Sequence, residues 1–158
     1  MATGLEGLYS EIILDHYRAP HGAGLREPFD TESHQVNPLC GDEITLRVLV
    51  DGARDEPVVR DVSYAATGCS ISQASASMLY DLVAEQPLGQ VRERLAGVRH
   101  MLLDGAEPDE DLLEDAIAVA GVAKFPARVK CALLPWAAFT DAMTRAGQPV
   151  RDDTEEPA

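Results

Sequence analysis

Apolar side chains recur at Leu5, Leu8, Tyr9, Ile12 and Ile13, the spacing of one helix face. This predicts an amphipathic helix over residues 5–17, ending before Arg18-Ala19-Pro20 because the residue ahead of a proline is driven out of helical backbone. His21 to Phe29 is rich in glycine and proline and reads as loop. Gln35 to Asp42 reads as extended chain interrupted by Pro38. Ile44, Leu46, Val48 and Val50 then alternate with Thr45, Arg47 and Leu49, the period of a half-buried strand. Asp51-Gly52 is a hairpin-type turn signal, followed by a polar loop over 53–57, and strand character resumes from Val58 to Ala66. From Ser70 to about Glu85, Ala74, Met78, Leu79 and Leu82 keep helical spacing among small residues, so a closely packed helix is expected. A further helix is read over Leu88 to Leu103, an acidic loop over 104–109, and a short helix near 111–120. Pro126 suits the first turn of a last helix running to about Arg145 and closed by Gly147 and Pro149. The order predicts an α+β fold, a small antiparallel three-stranded sheet packed against several α-helices.

Composition narrows the classes. With 158 residues, 46% hydrophobic and 25% charged, the chain is long enough to bury a real core. One domain is expected over residues 1–150, with residues 151–158 a disordered acidic tail that has no apolar anchor. The formal charge of -14 argues against nucleic acid as a partner, since phosphate binding needs clustered Lys and Arg. No apolar run approaches the ~20 residues of a membrane span. The first residues show no cationic segment followed by an apolar stretch. A cytoplasmic protein is expected.

Three cysteines, Cys40, Cys69 and Cys131, cannot all pair internally. In such a chain metal binding or thiol chemistry is favoured over a disulfide framework. Cys40 and Asp42 stand two apart, so on extended backbone both side chains reach one side, with Gly41 allowing a tight turn between them. The same pair also fits a buried Cys beside a turn-capping Asp. Cys69 follows Gly68 at a helix start, where oriented N–H groups favour a thiolate, although a small buried hydrophobe fits there too. Cys131 lies between Arg128 and Lys130, whose charges would offset a thiolate-rich site or simply cover a solvated helix face. Pro135 cannot donate to the Cys131 carbonyl, so a kink or a free acceptor is expected there. The cysteines lie too far apart for a local finger, and any common site must be assembled by the fold. No H-E-x-x-H occurs, which disfavours a hydrolytic zinc enzyme. His16 is read as a helix-end packing group or a partner contact, and His21, His34 and His100 have no ligand spacing.

Four blocks then stand in order: Leu14-Asp15-His16-Tyr17-Arg18-Ala19-Pro20, Asn37-Pro38-Leu39-Cys40-Gly41-Asp42, Gly68-Cys69-Ser70-Ile71-Ser72-Gln73-Ala74-Ser75-Ala76-Ser77 and Arg128-Val129-Lys130-Cys131-Ala132. Together they resemble the IscU/SufU family of iron–sulfur cluster assembly proteins, the NifU N-terminal family, over roughly residues 5–145. Lys130 stands where the scaffold IscU branch has a histidine, and the segment from about Leu103 to Gly121 resembles the SufU insertion. The resemblance implies zinc (Zn2+) bound by Cys40, Asp42, Cys69 and Cys131, a SufS-type PLP-dependent cysteine desulfurase as partner, and a downstream iron–sulfur assembly scaffold. It implies a sulfurtransferase that accepts persulfide sulfur, with Cys40 as the catalytic thiol once a partner histidine has replaced it on zinc. The rival implied by the same family is a scaffold that builds a transient Fe-S cluster on these cysteines. A purely structural zinc domain is a further rival.

Overall fold

The computed structural model describes residues 4–53 and 55–150, so the tail expected over 151–158 lies outside the described residues. The elements run α1 (Gly4–Arg18), β1 (Thr31–Asn37), β2 (Asp42–Asp51), β3 (Val58–Thr67), α2 (Ser70–Val83), β4 (Gln86–Pro87), α3 (Leu88–Leu103), α4 (Glu110–Leu113), a 3-10 segment (Glu114–Lys124) and α5 (Pro126–Arg145). The fold is α+β, with a four-stranded antiparallel sheet in the order β1-β2-β3-β4.

β2 behaves as its alternation predicts: Ile44, Leu46 and Val48 are buried while Thr45, Arg47 and Leu49 are only partly so. Its first residue, Asp42, falls on the same inward face and is fully buried. A bulge between Leu49 and Val50 leaves Arg60 of β3 without a partner in the ladder. Val59 and Val62, three apart, therefore both point inward and are fully buried.

Two differences from the expected sheet have physical causes. β1 begins at Thr31, ahead of the expected Gln35, and stops at Asn37. Its inward positions are polar: Ser33 and Asn37 are buried, whereas Val36 is half exposed. Those polar groups bond to α5, with the Thr31 hydroxyl donating to the Ala142 carbonyl (2.7 Å) and the Ser33 hydroxyl to Asp141 (2.7 Å). The sheet has four strands rather than three because Gln86-Pro87 pairs with Val58 and Val59. A two-residue strand carries no periodicity to read.

The helices keep close to their expected bounds. The segment expected as a short helix over 111–120 is instead one turn, α4, followed by the 3-10 stretch, with Glu114 at positive φ (50°) between them. α5 runs unbroken through Pro135. It packs on β1, β2 and α2, and its Trp136, Ala138 and Phe139 join the core formed with β2, β3, α2 and α3. Among the described residues no helix is long and apolar enough to cross a membrane.

Candidate metal centre

Residues 38–41 form the turn between β1 and β2, and Asn37 organises it. The Asn37 carbonyl accepts from the amides of Cys40 (3.2 Å) and Gly41 (2.9 Å), and its side-chain oxygen accepts from the Leu39 amide (3.2 Å). Gly41 takes positive φ (70°), the conformation glycine adopts without strain. Cys40 therefore sits on a turn, and the expected geometry of two residues on one extended strand does not hold. It is the turn that swings the exposed Cys40 back over the inward-facing Asp42.

Cys131 arrives from α5. It is fully buried, and its Sγ lies 3.1 Å from the Sγ of Cys40. The Asn37 amide nitrogen approaches the same sulfur at 3.8 Å. One donor atom each from Cys40, Asp42 and Cys131 lie within 4.8 Å of one another. Cys69 joins through Asp42: it caps α2, its amide donates to Asp42 Oδ1 at 2.8 Å, and its Sγ lies 3.8 Å from Asp42 Oδ2. Of the four residues singled out by sequence, Cys40, Asp42 and Cys131 thus form one cluster at the end of the β2–β3 ladder, and Cys69 lies just outside it, in contact with Asp42 alone of the three. Arg128 and Lys130 are both exposed, and neither is among the groups that shift the Cys131 thiol.

The donor set fits a soft divalent cation. Burial above all, then the neighbouring Asp42, Cys40 and Cys69, push the Cys131 thiol far above the usual range of a cysteine. A divalent ion beside Cys131 would favour its thiolate instead. Three sulfurs and one oxygen is a donor set suited to zinc.

Gly68 is a contributor that sequence reading passed over. Its φ is +132°, and a Cβ there would overlap the Asp42 carboxylate. Only glycine lets β3 hand over to α2 this close to Asp42. The signal was the Thr67-Gly68 break before Cys69. Asn37 was equally legible as Asn-Pro, a turn-starting pair. Beside the centre runs an apolar groove lined by Val36, Leu39, Leu103, Val129 and Leu133, with Lys130 on its edge. Leu39 is 69% exposed, and Val36 and Phe125 are also open to solvent.

The remaining histidines lie elsewhere. His16 is buried between Ser77 and Asp115, away from the surface that a protein partner would touch. His34 and His100 pair with exposed carboxylates.

Comparison with known proteins places these features in a family. The family model described as NifU-like N terminal domain matches residues 8–132. The chain is 38% identical over 147 residues to the iron–sulfur cluster assembly scaffold protein IscU of Streptococcus pyogenes, covering 90% of this chain and 86% of the relative. It is 36% identical over 139 residues to the zinc-dependent sulfurtransferase SufU of Bacillus subtilis, covering 87% and 90%. Among solved structures, a protein of Fervidobacterium islandicum described as an iron–sulfur cluster assembly scaffold for the SUF system superposes with a TM-score of 0.73. That pair is 33% identical and covers 89% of this chain and 99% of the other. A NifU-like N-terminal protein of Brucella abortus shares the fold at a TM-score of 0.79 and 22% identity, over 92% and 98% of the two chains.

Proposed function

This chain belongs to the NifU-like N-terminal domain family, and on that premise we propose that it is a zinc-dependent sulfurtransferase of iron–sulfur cluster assembly. It takes persulfide sulfur from a SufS-type cysteine desulfurase in the cytoplasm and passes it to a downstream assembly scaffold. The observation that carries this reading is the asymmetry of the cysteine cluster: Cys131 is buried and Cys69 partly buried, while Cys40 is exposed on a turn. One thiol of the set can meet a partner; the others are anchored by secondary structure.

Cys40, Asp42, Cys69 and Cys131 would hold the zinc, which supplies thiolate stabilisation without redox chemistry of its own. Asp42 is fixed by the Cys69 amide and stays in place when the turn moves. Cys40 would attack the outer sulfur of the desulfurase persulfide as a thiolate, with a partner histidine able to take its place among the ligands. The new S–S bond forms on Cys40 as the old one breaks, and the desulfurase cysteine leaves as thiolate with the electron pair. The exposed apolar rim of Leu39, Val36 and Phe125 supports docking of a protein partner around that thiol, since such side chains gain from being covered.

The second reading, a scaffold for a transient cluster, is supported by the names of the Streptococcus and Fervidobacterium relatives. Lys130 in place of a histidine beside Cys131 and the segment from Leu103 to Gly121 favour transfer. Two measurements separate the readings. The transferase purifies colourless with about one zinc per chain, whereas the scaffold develops a brown thiolate–iron absorption on reconstitution that survives desalting. With desulfurase and cysteine, wild type accelerates alanine release and Cys40→Ala does not; a Cys40→Ala protein that accelerates it like wild type contradicts the proposal.

A further inference from the structure

Away from the cysteines, a second cluster of ligating groups lies beside the far half of α2. One nitrogen each of His16 and His21 and a carboxylate oxygen of Asp81 lie within 4.8 Å of one another. The His21 Nδ1 stands 2.8 and 2.9 Å from the two Asp81 oxygens, and the two imidazole rings are 4.9 Å apart at 59°. Asp81 comes eleven residues after Ser70 on α2, ~16 Å along the helix from the cysteine end.

The bonding around His16 fixes which atom is available. Its Nε2 lies 2.9 Å from an Asp115 oxygen; an ionised carboxylate only accepts, so Nε2 carries the proton. Nδ1 then holds the lone pair and accepts from the Ser77 hydroxyl at 2.6 Å. That hydroxyl oxygen in turn accepts the His21 backbone amide at 2.8 Å, and the Tyr64 hydroxyl donates to the His21 carbonyl at 2.9 Å. The arrangement of carboxylate, then imidazole N–H, then lone-pair nitrogen is the one that outer carboxylates impose on metal-binding histidines, and a cation at Nδ1 displaces the Ser77 hydroxyl proton from it. His16 is buried, whereas the His21 and Asp81 side chains are 51% and 35% exposed. Two donors are thus reachable from solvent and one is held rigid. A small cavity beside the cluster is lined by Asp81, Glu114 and Asp115, adding negative charge and room for water.

The geometry points to a second cation site, formed by His16 Nδ1, His21 Nδ1 and Asp81 and separate from the cysteine centre, that takes a divalent first-row transition ion. Two nitrogens, one carboxylate and open water positions form the donor set that suits ferrous iron, and its hardness contrasts with that of the sulfur-rich centre. Cis donors on bonds of ~2.1 Å at about 90° stand ~3.0 Å apart, close to the present spacing of His21 and Asp81. The cation takes the place of the hydrogen bond between those two groups. Nothing in this assignment depends on the sulfur-transfer reading, because none of its residues belongs to the cysteine centre.

The test uses the zinc-loaded full chain, titrated anaerobically with Co2+ and then challenged with Fe2+. Wild type is expected to take up one further Co2+ with weak visible d–d bands, no thiolate charge transfer and unchanged zinc content, and a large excess of Fe2+ is expected to compete for it, Co2+ being the tighter binder of the two. Asp81→Asn and His21→Gln, both at solvent-reachable positions, should each weaken this uptake about tenfold or more, and Asp115→Asn by ~10–100-fold through the loss of the outer carboxylate. His16, being buried, is left unchanged in these variants. Absence of Co2+ uptake below millimolar concentration, a thiolate band showing zinc displacement, or unchanged affinity in Asp81→Asn and His21→Gln would each overturn the assignment.

Discussion

At Gly68 two constraints coincide. The backbone there has a φ of +132°, and the space a Cβ needs is filled by Asp42. The backbone strain alone of a side chain at such a position costs ~1–3 kcal/mol, and the overlap must also push the carboxylate off the Cys69 amide it accepts. Gly68→Ala is therefore expected to lower the urea midpoint and, in the same preparation, to lower bound zinc per chain; full zinc occupancy in a stable variant would show that Asp42 is not positioned through this contact. The residues of the centre were legible as residue types, since thiols and a carboxylate stand out in any sequence. Their local reason was legible only in part. Cys40 and Asp42 were expected side by side on extended chain, yet they meet because Asn37 folds a turn whose hydrogen bonds involve backbone groups that a sequence pattern does not display.

The elements show the same division between what burial periodicity reveals and what it hides. β2 and α2 carry apolar positions at the right spacing and were readable. The N-terminal half of β1 was not, because its inward residues make polar bonds to α5 in place of apolar contacts. Asp141 is central to that junction. Hydrogen bonds first from Arg145 and then from Ser33 hold its carboxyl below the usual carboxylate range. A group with a depressed folded pKa stabilises the protein above its unfolded value of ~3.9, and that contribution is lost as pH falls through the folded value. Asp141→Asn is thus expected to lower the urea midpoint at pH 7 and to lose that effect as the pH falls through the folded value; an equal loss at neutral and at strongly acidic pH would mean that the charge on Asp141 is irrelevant. The 3-10 segment was misread for a related reason. Its start is tied to the middle of α3 by Arg94, which donates to the Leu82 carbonyl of α2 (2.8 Å) and to Glu114 (3.0 Å). Arg94→Ala leaves the Leu82 carbonyl without this donor, at a cost of ~1–3 kcal/mol, and should speed amide exchange in residues 110–124 ahead of the sheet.

At the scale of the molecule the centre joins pieces that are remote in sequence: the β1–β2 turn, the inward start of β2, the cap of α2 and the second turn of α5. A metal bound there would tie these pieces together, and its binding free energy would count as folding free energy. Chelation is expected to lower Tm, with the β1–β2 turn and the start of α2 losing exchange protection first; an unchanged Tm after complete zinc removal would contradict the ligand set. On the outside, Leu39 is the most exposed large apolar side chain beside Cys40. Leu39→Asp should leave Tm within error and weaken desulfurase stimulation through the partner's apparent affinity, whereas a wild-type response would place the docking surface elsewhere. The central claim is that Cys40 itself carries the sulfur. The most direct measurement is intact-protein and peptide mass spectrometry of the zinc-loaded chain after a brief anaerobic exposure to desulfurase and cysteine, with persulfides trapped by alkylation. The expected result is a mass gain of one sulfur atom on the peptide containing Cys40 and none on those containing Cys69 or Cys131. Sulfur on either of the other two, or on none of the three, would contradict it.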